Sequence, residues 1–294
     1  QTGMKHMNIL QAALLGLVQG ITEFLPISST GHLTLVGRLL GTEGAANLMF
    51  MTMLHLGALI AVLSVFYKDI LRIAVEVAGV IHDSVCNLKI YIAEHRKPEG
   101  RRYIKILSNG YRKFAVLILV SLIPTVLIAY LVSPLAEVLT GNLLASGLGL
   151  FVTALLLFVS SFMRYADKGP REAKFLDAVL VGAFQGFGVF PGNSRLAMAL
   201  SSGYLSGFSR KFALKYAFVL FVPTVIGAVI LEAGRTGSTA AVGVLPCIVG
   251  MAVSAAVGFF MIRLAVKFLN VRRNRFFAGY CLIIGILSIV GYLH

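Results

Sequence analysis

The sequence predicts an all-α polytopic membrane protein: an inverted-topology repeat of six transmembrane helices and two re-entrant helical hairpins. Three observations carry this. The 294 residues are 58% hydrophobic and only 13% charged, with a mean hydropathy of +0.88, whereas soluble domains carry about 25% charged residues. The chain also repeats itself. Ala12 to Gly20 reads like Ala178 to Gly186, with Gly16 and Gly182, and Gln19 and Gln185, each 166 positions apart. An aromatic, a proline and a serine follow in both copies: Phe24, Pro26 and Ser29, then Phe190, Pro191 and Ser194. Aligned on those prolines, the second copy brings Arg195 where the first brings Thr30. Lastly, each copy is a polar stretch broken by Gly and Pro inside apolar sequence. In a bilayer, irregular backbone survives only where it is buried in protein or lines a wet cavity. Such segments in corresponding halves point to a binding site at the repeat interface.

The chain reads as a single integral-membrane domain over 1–294, with one repeat over about 8–163 and the other over about 175–294. Gln1 to His6 reads as a short tail or expression remnant, without a cleavable signal pattern. The first hairpin runs from about Asn8 to Leu40 and turns near Pro26 to Ser29. Asn47 to Tyr67 follows as a span long enough for a ~30 Å hydrocarbon core at about 1.5 Å per residue. It contains His55; a lone histidine in a span is usually a hydrogen-bonded packing residue. Lys68 to Lys113 breaks the hydropathy with ten lysines and arginines. It reads as a cytoplasmic or interfacial segment, part amphipathic helix along the headgroups, with a polar turn at His95 to Gly100.

Phe114 to Val132 is the second span, with Pro124 inside it, and Leu143 to Met163 is the third. A basic linker around Gly169-Pro170 leads to the second hairpin, from about Phe175 to Ser206, turning at Pro191-Gly192-Asn193. The last three spans are Phe212 to Leu231, Val244 to about Lys267, and Phe276 to Leu293, with Glu232 to Gly243 a polar loop. Small residues at Gly147, Gly149, Gly203 and Gly207 suit close helix packing.

The net charge of +14 raises the question of nucleic acid. The basic residues lie between apolar spans, so membrane lipid headgroups are the expected partner and nucleic acid is not. With hairpins that return to their own side, all four basic segments fall on one face, which is cytoplasmic by the positive-inside rule. The first hairpin then enters from outside, the second from the cytoplasm, and both termini are extracytoplasmic. Cys86, Cys247 and Cys281 match no metal or redox spacing and read as free thiols.

Glu23, Ser29, His32 and Arg195 form the candidate catalytic constellation. Arginine at a buried membrane site suggests an anion, and phosphate matches its planar fork. Pro191-Gly192-Asn193-Ser194-Arg195 resembles a turn at a helix start, whose N–H groups also favour phosphate. Ser29 or His32 is the candidate nucleophile, with Glu23 as base or as holder of a divalent cation, Mg2+ or Ca2+, with Gln19 four residues away on the same helix face. Ser28, Thr30, Gly192, Asn193 and Ser194 complete the expected binding set. A plainer reading stands beside this one: Ser28, Ser29 and Thr30 cap the helix after Pro26, and Arg195 pairs with Glu23 for structure alone.

Gln19-Gly-Ile-Thr-Glu23-Phe-Leu-Pro26-Ile-Ser28-Ser29-Thr30-Gly-His32 resembles the first signature of the undecaprenyl-diphosphate phosphatase, or bacitracin-resistance, family. That signature is an E/Q-xxx-E pattern followed by Pro-x-Ser-Ser-x-Gly-His. Residues 191–195 resemble the second, Pro-Gly-x-Ser-Arg-Ser-Gly, with Leu196-Ala197 in place of the final Ser-Gly. The resemblance covers nearly the whole chain. It implies a cation-dependent membrane phosphatase with an outward-facing site. Such an enzyme removes the terminal phosphate of a C55 polyprenyl diphosphate, recycling the lipid carrier of cell-wall synthesis and giving bacitracin resistance. A homodimer is compatible with the sequence. A polyprenyl-phosphate transporter or flippase is the alternative class, since inverted repeats with hairpins meeting at the midplane are transporter architecture.

Overall fold

The computed structural model describes residues 7–42, 48–94, 103–163, 166–233 and 243–293. Among these, the regular structure is helical. The helices in chain order are α1 (Ile9–Thr22), α2 (Ser29–Leu39), α3 (Leu48–Glu94), α4 (Gly110–Val138), α5 (Leu143–Ser160), α6 (Phe175–Gly186), α7 (Arg195–Leu205), α8 (Arg210–Ala233), α9 (Val244–Phe268) and α10 (Asn274–Leu293). Asparagine side chains mark three of the starts. Asn8 accepts the Gln11 N–H at 2.8 Å, Asn109 that of Arg112 at 2.7 Å, and Asn142 that of Leu144 at 2.8 Å. Each satisfies a backbone donor that the first helical turn leaves open.

Among the described residues, six helices are long and apolar enough to cross a membrane: α3, α4, α5, α8, α9 and α10. The protein is therefore a multi-pass membrane protein. α1 and α6 are apolar but shorter.

The span expected to end at Tyr67 meets a kink at Phe66 (φ −106°, ψ 18°), where the first helical stretch of α3 joins a second that runs on to Glu94. Lys68, Arg72 and Lys89 lie on this second stretch, which is the helical part of the basic segment. Ile73 is buried, with Ile70 and Val77 packed beside it. The polar positions pair across to α4 and α8: Glu76 and Asp83 with Arg112 at 3.2 and 2.5 Å, and Asp69 with Lys215 at 2.8 Å. The expected turn at His95 to Gly100 lies outside the described residues, as do the Gln1–His6 tail and most of the Glu232–Gly243 loop.

Two helix contacts seat the helices that lead into the turns. α1 lies on α9, with Gly16 against Gly250 and Gly20 against Ser254 and Val257; α6 lies on α4, with Gly182 against Ser121 and Gly186 against Thr125 and Ile128. Moving from one contact to the other shifts α1 residues by 166 positions (16 to 182, 20 to 186). It shifts the α4 residues by 129 to reach their α9 mates (121 to 250, 125 to 254, 128 to 257). A Cβ on Gly16 would sit 2.5 Å from the Gly250 carbonyl oxygen, and one on Gly182 would strike the Ser121 carbonyl. Only glycine allows these backbones to approach so closely. α5 and α10 pack on each other, as do α3 and α8.

The element bounds also correct the alignment of the two turns. α2 and α7 begin at Ser29 and Arg195 and end at Leu39 and Leu205, both 166 positions apart. Ser28 caps α2 by accepting the Gly31 N–H at 3.2 Å, and Ser194 caps α7 by accepting the Ala197 N–H at 3.1 Å. The caps pair Ser28 with Ser194, so Arg195 stands opposite Ser29, not Thr30. The prolines had suggested otherwise because Pro191 follows its phenylalanine directly, whereas Leu25 separates Pro26 from Phe24.

Candidate active site

Each site segment is a turn seated on buried packing. In the first, Glu23 ends α1, its N–H bonded to the Gln19 carbonyl at 3.0 Å. Phe24 follows, buried against Phe218 and Phe221, and anchors the turn. Ser28 then takes φ +67°, a left-handed conformation uncommon outside glycine. Such a residue stores about 1–3 kcal/mol of strain and persists where its surroundings over-determine it. Here the Ser28 hydroxyl holds Gly31, and its carbonyl accepts from His32 Nδ1 at 2.7 Å. In the second turn the left-handed residue is Gly192 (φ +83°). This turn seats on α5, where a Cβ on Gly149 would strike the Pro191 carbonyl and one on Gly192 the Ser146 carbonyl. Thr153 of α5 clamps it, accepting the Ser194 N–H at 3.0 Å and donating to the Gly192 carbonyl at 3.3 Å. The two turns touch directly, Gly192 N–H to Thr30 Oγ1 at 3.1 Å.

Where they meet, the charges converge. Glu23 is 6% exposed. Its Oε1 pairs with the Arg195 guanidinium at 3.0 Å, and its Oε2 accepts from Gln19 Nε2 at 3.0 Å and from the Ser29 hydroxyl. Arg195 also reaches His55 Nε2 at 2.7 Å and lies 5.6 Å from the centroid of the Phe221 ring. A guanidinium only donates, so His55 Nε2 accepts and its Nδ1 carries the hydrogen. A small cavity opens here, lined in part by Glu23, Gln185, Arg195, Leu196 and Phe221. Four buried polar atoms on these segments have no hydrogen-bond partner: Gln19 Oε1, His55 Nδ1, Gln185 Oε1 and Asn193 Oδ1. Groups of this kind call for an explanation such as a ligand or water.

His32 faces elsewhere. With Nδ1–H donating to the Ser28 carbonyl, its Nε2 accepts from the Tyr280 hydroxyl at 2.8 Å, the two rings stacked at 5.6 Å. Ser29 donates to Glu23, so it is the carboxylate, not the imidazole, that lies within reach of the serine proton.

The structure thus brings Gln19, Glu23, Ser29 and Arg195 into one cluster. It joins Thr30 to Gly192 and makes caps of Ser28 and Ser194. Asn193 donates to the Phe187 carbonyl at 2.8 Å. Sequence reasoning passed over Tyr280 and Phe221 and took His55 for a packing residue. No local pattern marks any of these: they reach the site from α10, α8 and α3 through tertiary packing alone. Among the described residues, no group of three or more His, Cys, Asp or Glu converges as a metal site.

Chemically, the cluster holds a hydroxyl hydrogen-bonded to a carboxylate beside a buried guanidinium, groups able to serve as nucleophile, proton acceptor and anion receptor. Fold and site together define a multi-pass membrane protein with a buried cluster of carboxylate, hydroxyl and guanidinium. The family model for the bacitracin resistance protein BacA matches residues 12–287, and the chain belongs to that family. It is 37% identical over 286 residues to an undecaprenyl-diphosphatase of Methanosphaera stadtmanae, covering 97% of this chain and 98% of that protein. The proteins of the same name from Methanobrevibacter smithii and Alkaliphilus metalliredigens are each 31% identical, over 286 and 290 residues, covering 97% of this chain and 98% of each relative.

Proposed function

We propose that this chain is an integral-membrane phosphatase that hydrolyses undecaprenyl diphosphate to the monophosphate and inorganic phosphate. Family membership gives the reaction, which returns a lipid carrier to cell-wall synthesis and underlies bacitracin resistance. The observation that carries the reading is the buried convergence of Ser29, Glu23 and Arg195 from two separate turns. Purified protein in detergent releases inorganic phosphate from the lipid diphosphate; absence of release would sink the reading and return the transporter class to first place.

In the resting cluster Arg195 is occupied by Glu23. An arriving terminal phosphate competes for the guanidinium, which frees Glu23 to take the Ser29 proton. Ser29 Oγ then attacks the terminal phosphorus, and the bridging P–O bond breaks, leaving phosphoserine and the polyprenyl monophosphate. Water attacks the phosphoserine, giving its proton to Glu23, which has meanwhile passed the first proton to solvent. The Ser29 Oγ–P bond breaks, Glu23 returns that proton to Oγ, and inorganic phosphate departs. His32 as nucleophile is the other route, and it requires the imidazole to release Tyr280. A phosphoserine is acid-stable and a phosphohistidine acid-labile, so rapid quenching with labelled substrate distinguishes them.

The donor set fits a divalent cation, Mg2+ or Ca2+, shared with the substrate. Glu23 supplies a carboxylate and Gln19 Oε1 is a buried oxygen without a partner, and hard cations with few protein ligands are completed by phosphate oxygens and water. When bound, such an ion offsets charge on the non-bridging oxygens.

The paired contacts and the basic segments support an inverted repeat whose turns are re-entrant hairpins. In this topology the loops before α4, α6, α8 and α10 are cytoplasmic, the active site faces outward, and both termini are extracytoplasmic in the plasma membrane. In a variant stripped of Cys86, Cys247 and Cys281, an impermeant thiol reagent added outside labels Gly141→Cys and spares Ser108→Cys. The reverse pattern would overturn the topology.

A further inference from the structure

The buried amide of Gln185 is not used by the chemistry above. Gln185 is the 166-position mate of Gln19, yet the two are employed differently. Gln19 gives its N–H to Glu23. The mate of Glu23 is Val189, so Gln185 has no carboxylate to serve. Its Nε2 reaches only Thr224 Oγ1, at 3.4 Å, beyond the usual range for N–H···O bonds. The Thr224 hydroxyl itself donates to the Leu220 and Phe221 carbonyls. Gln185 Oε1 has no partner at all, although the residue is only 3% exposed. The side chain lines the same cavity as Glu23 and Arg195, among Phe24, Leu196, Ala217, Phe218 and Phe221.

A buried amide left unpaired destabilises the resting protein. In an apolar wall, an N–H donor is worth most when it meets an ionised oxygen. We propose that Gln185 is a substrate-binding residue, the second half's counterpart of Gln19, which donates Nε2–H to a diphosphate oxygen held by Arg195 and accepts a water hydrogen at Oε1. This rests on the phosphatase reading and adds a recognition group to it.

The test pairs Gln185→Met, which keeps the unbranched shape and removes both hydrogen-bonding groups, with Gln185→Glu, which keeps the acceptor and removes the donor. Two quantities are read in purified protein: the KM for lipid diphosphate, and the rise in Tm caused by inorganic diphosphate. For Gln185→Met the KM rises about tenfold, the expected scale for a hydrogen bond to a charged group. The diphosphate-induced rise in Tm shrinks, and the ligand-free Tm stays level or increases. Gln185→Glu weakens binding further by bringing a second carboxylate to the anion. A parent-like KM and Tm response in either variant would overturn the proposal, as would a lower ligand-free Tm with unchanged KM, the mark of a structural amide. Failure of the parent to release phosphate counts against the phosphatase reading instead. The diphosphate-induced rise in Tm still judges Gln185 in that case.

Discussion

The two turns share a scaffold and divide the chemistry. Both follow a helix laid through glycines on a partner helix, both contain one left-handed residue, and both end in a serine that caps the next helix. At the first position of those mated helices stand Ser29 and Arg195, a nucleophile candidate and a fixed cation. Upstream, Glu23 faces Val189; downstream, His32 faces Met198. In the proposed mechanism the first turn supplies the proton and bond chemistry and the second holds the anion. Divergence at a few positions, with the backbone kept, is enough to make one asymmetric site from two similar halves. The left-handed residues differ in kind as well. Gly192 adopts its conformation without steric cost, whereas Ser28 bears strain that its bonds to Gly31 and His32 contain.

The sharpest way to break this division is to remove the group at the same position on each side. Ser29→Ala eliminates the nucleophile of the proposed route, and phosphate release falls on the order of 10⁴-fold or more. The acid-stable intermediate disappears with it. A variant that keeps the parent rate would place the chemistry elsewhere. Next in size is Arg195→Lys. Lysine keeps the charge and loses the bidentate fork, and loss of a desolvated charged contact costs on the order of 2–5 kcal/mol. Lipid-diphosphate turnover measured at low substrate falls accordingly, by roughly 30-fold to several thousandfold. A lysine enzyme running at the parent rate would make the arginine a structural partner of Glu23 only.

Most of this was legible in the sequence because the signals were local. The six spans announce themselves by length and hydropathy, and the repeat by its constant offset. The residues of the first turn reach the site through short spacings: Gln19 to Glu23 is one helical turn, and Ser29 follows six residues later. The end of the first span coincides with the kink at Phe66, and the helix beyond it tolerates charge because one face stays apolar and the other finds ion pairs, as Ile73 and the Glu76–Arg112 pair do. One misalignment has a physical cause: helix caps fix the register of the turns, and a proline inside a turn can slide by one residue. His55 and Tyr280 carry no local signal, since each meets its partner across more than a hundred residues.

The scaffold half of the comparison has its own test. If the two halves are mechanically alike, Gly16→Ala and Gly182→Ala meet the same obstacle, a backbone carbonyl on the facing helix. Each destabilises by about 1–3 kcal/mol, the usual scale for overpacking a tight contact, and thermal unfolding in detergent shows two similar losses of Tm. A loss confined to one variant would mean that one half carries the fold and the other only resembles it.

The smallest expected effect concerns His32, the one titratable group of the first turn that faces away from Glu23. Its two ring nitrogens are committed, Nδ1 to the strained Ser28 carbonyl and Nε2 to Tyr280. An imidazole bonded in this way is a strut: it ties the Ser28 backbone to α10 and thereby fixes where Ser29 begins its helix. Tyr280→Phe keeps the stacked ring and removes one neutral hydrogen bond, worth about 1 kcal/mol. For a strut, Tm falls slightly, phosphate release changes by no more than a few fold, and the trapped intermediate stays acid-stable. For a nucleophile, the same substitution uncovers Nε2, which raises the rate and makes an acid-labile phosphohistidine accumulate. The phenylalanine variant therefore decides whether the first turn carries one reactive group or two.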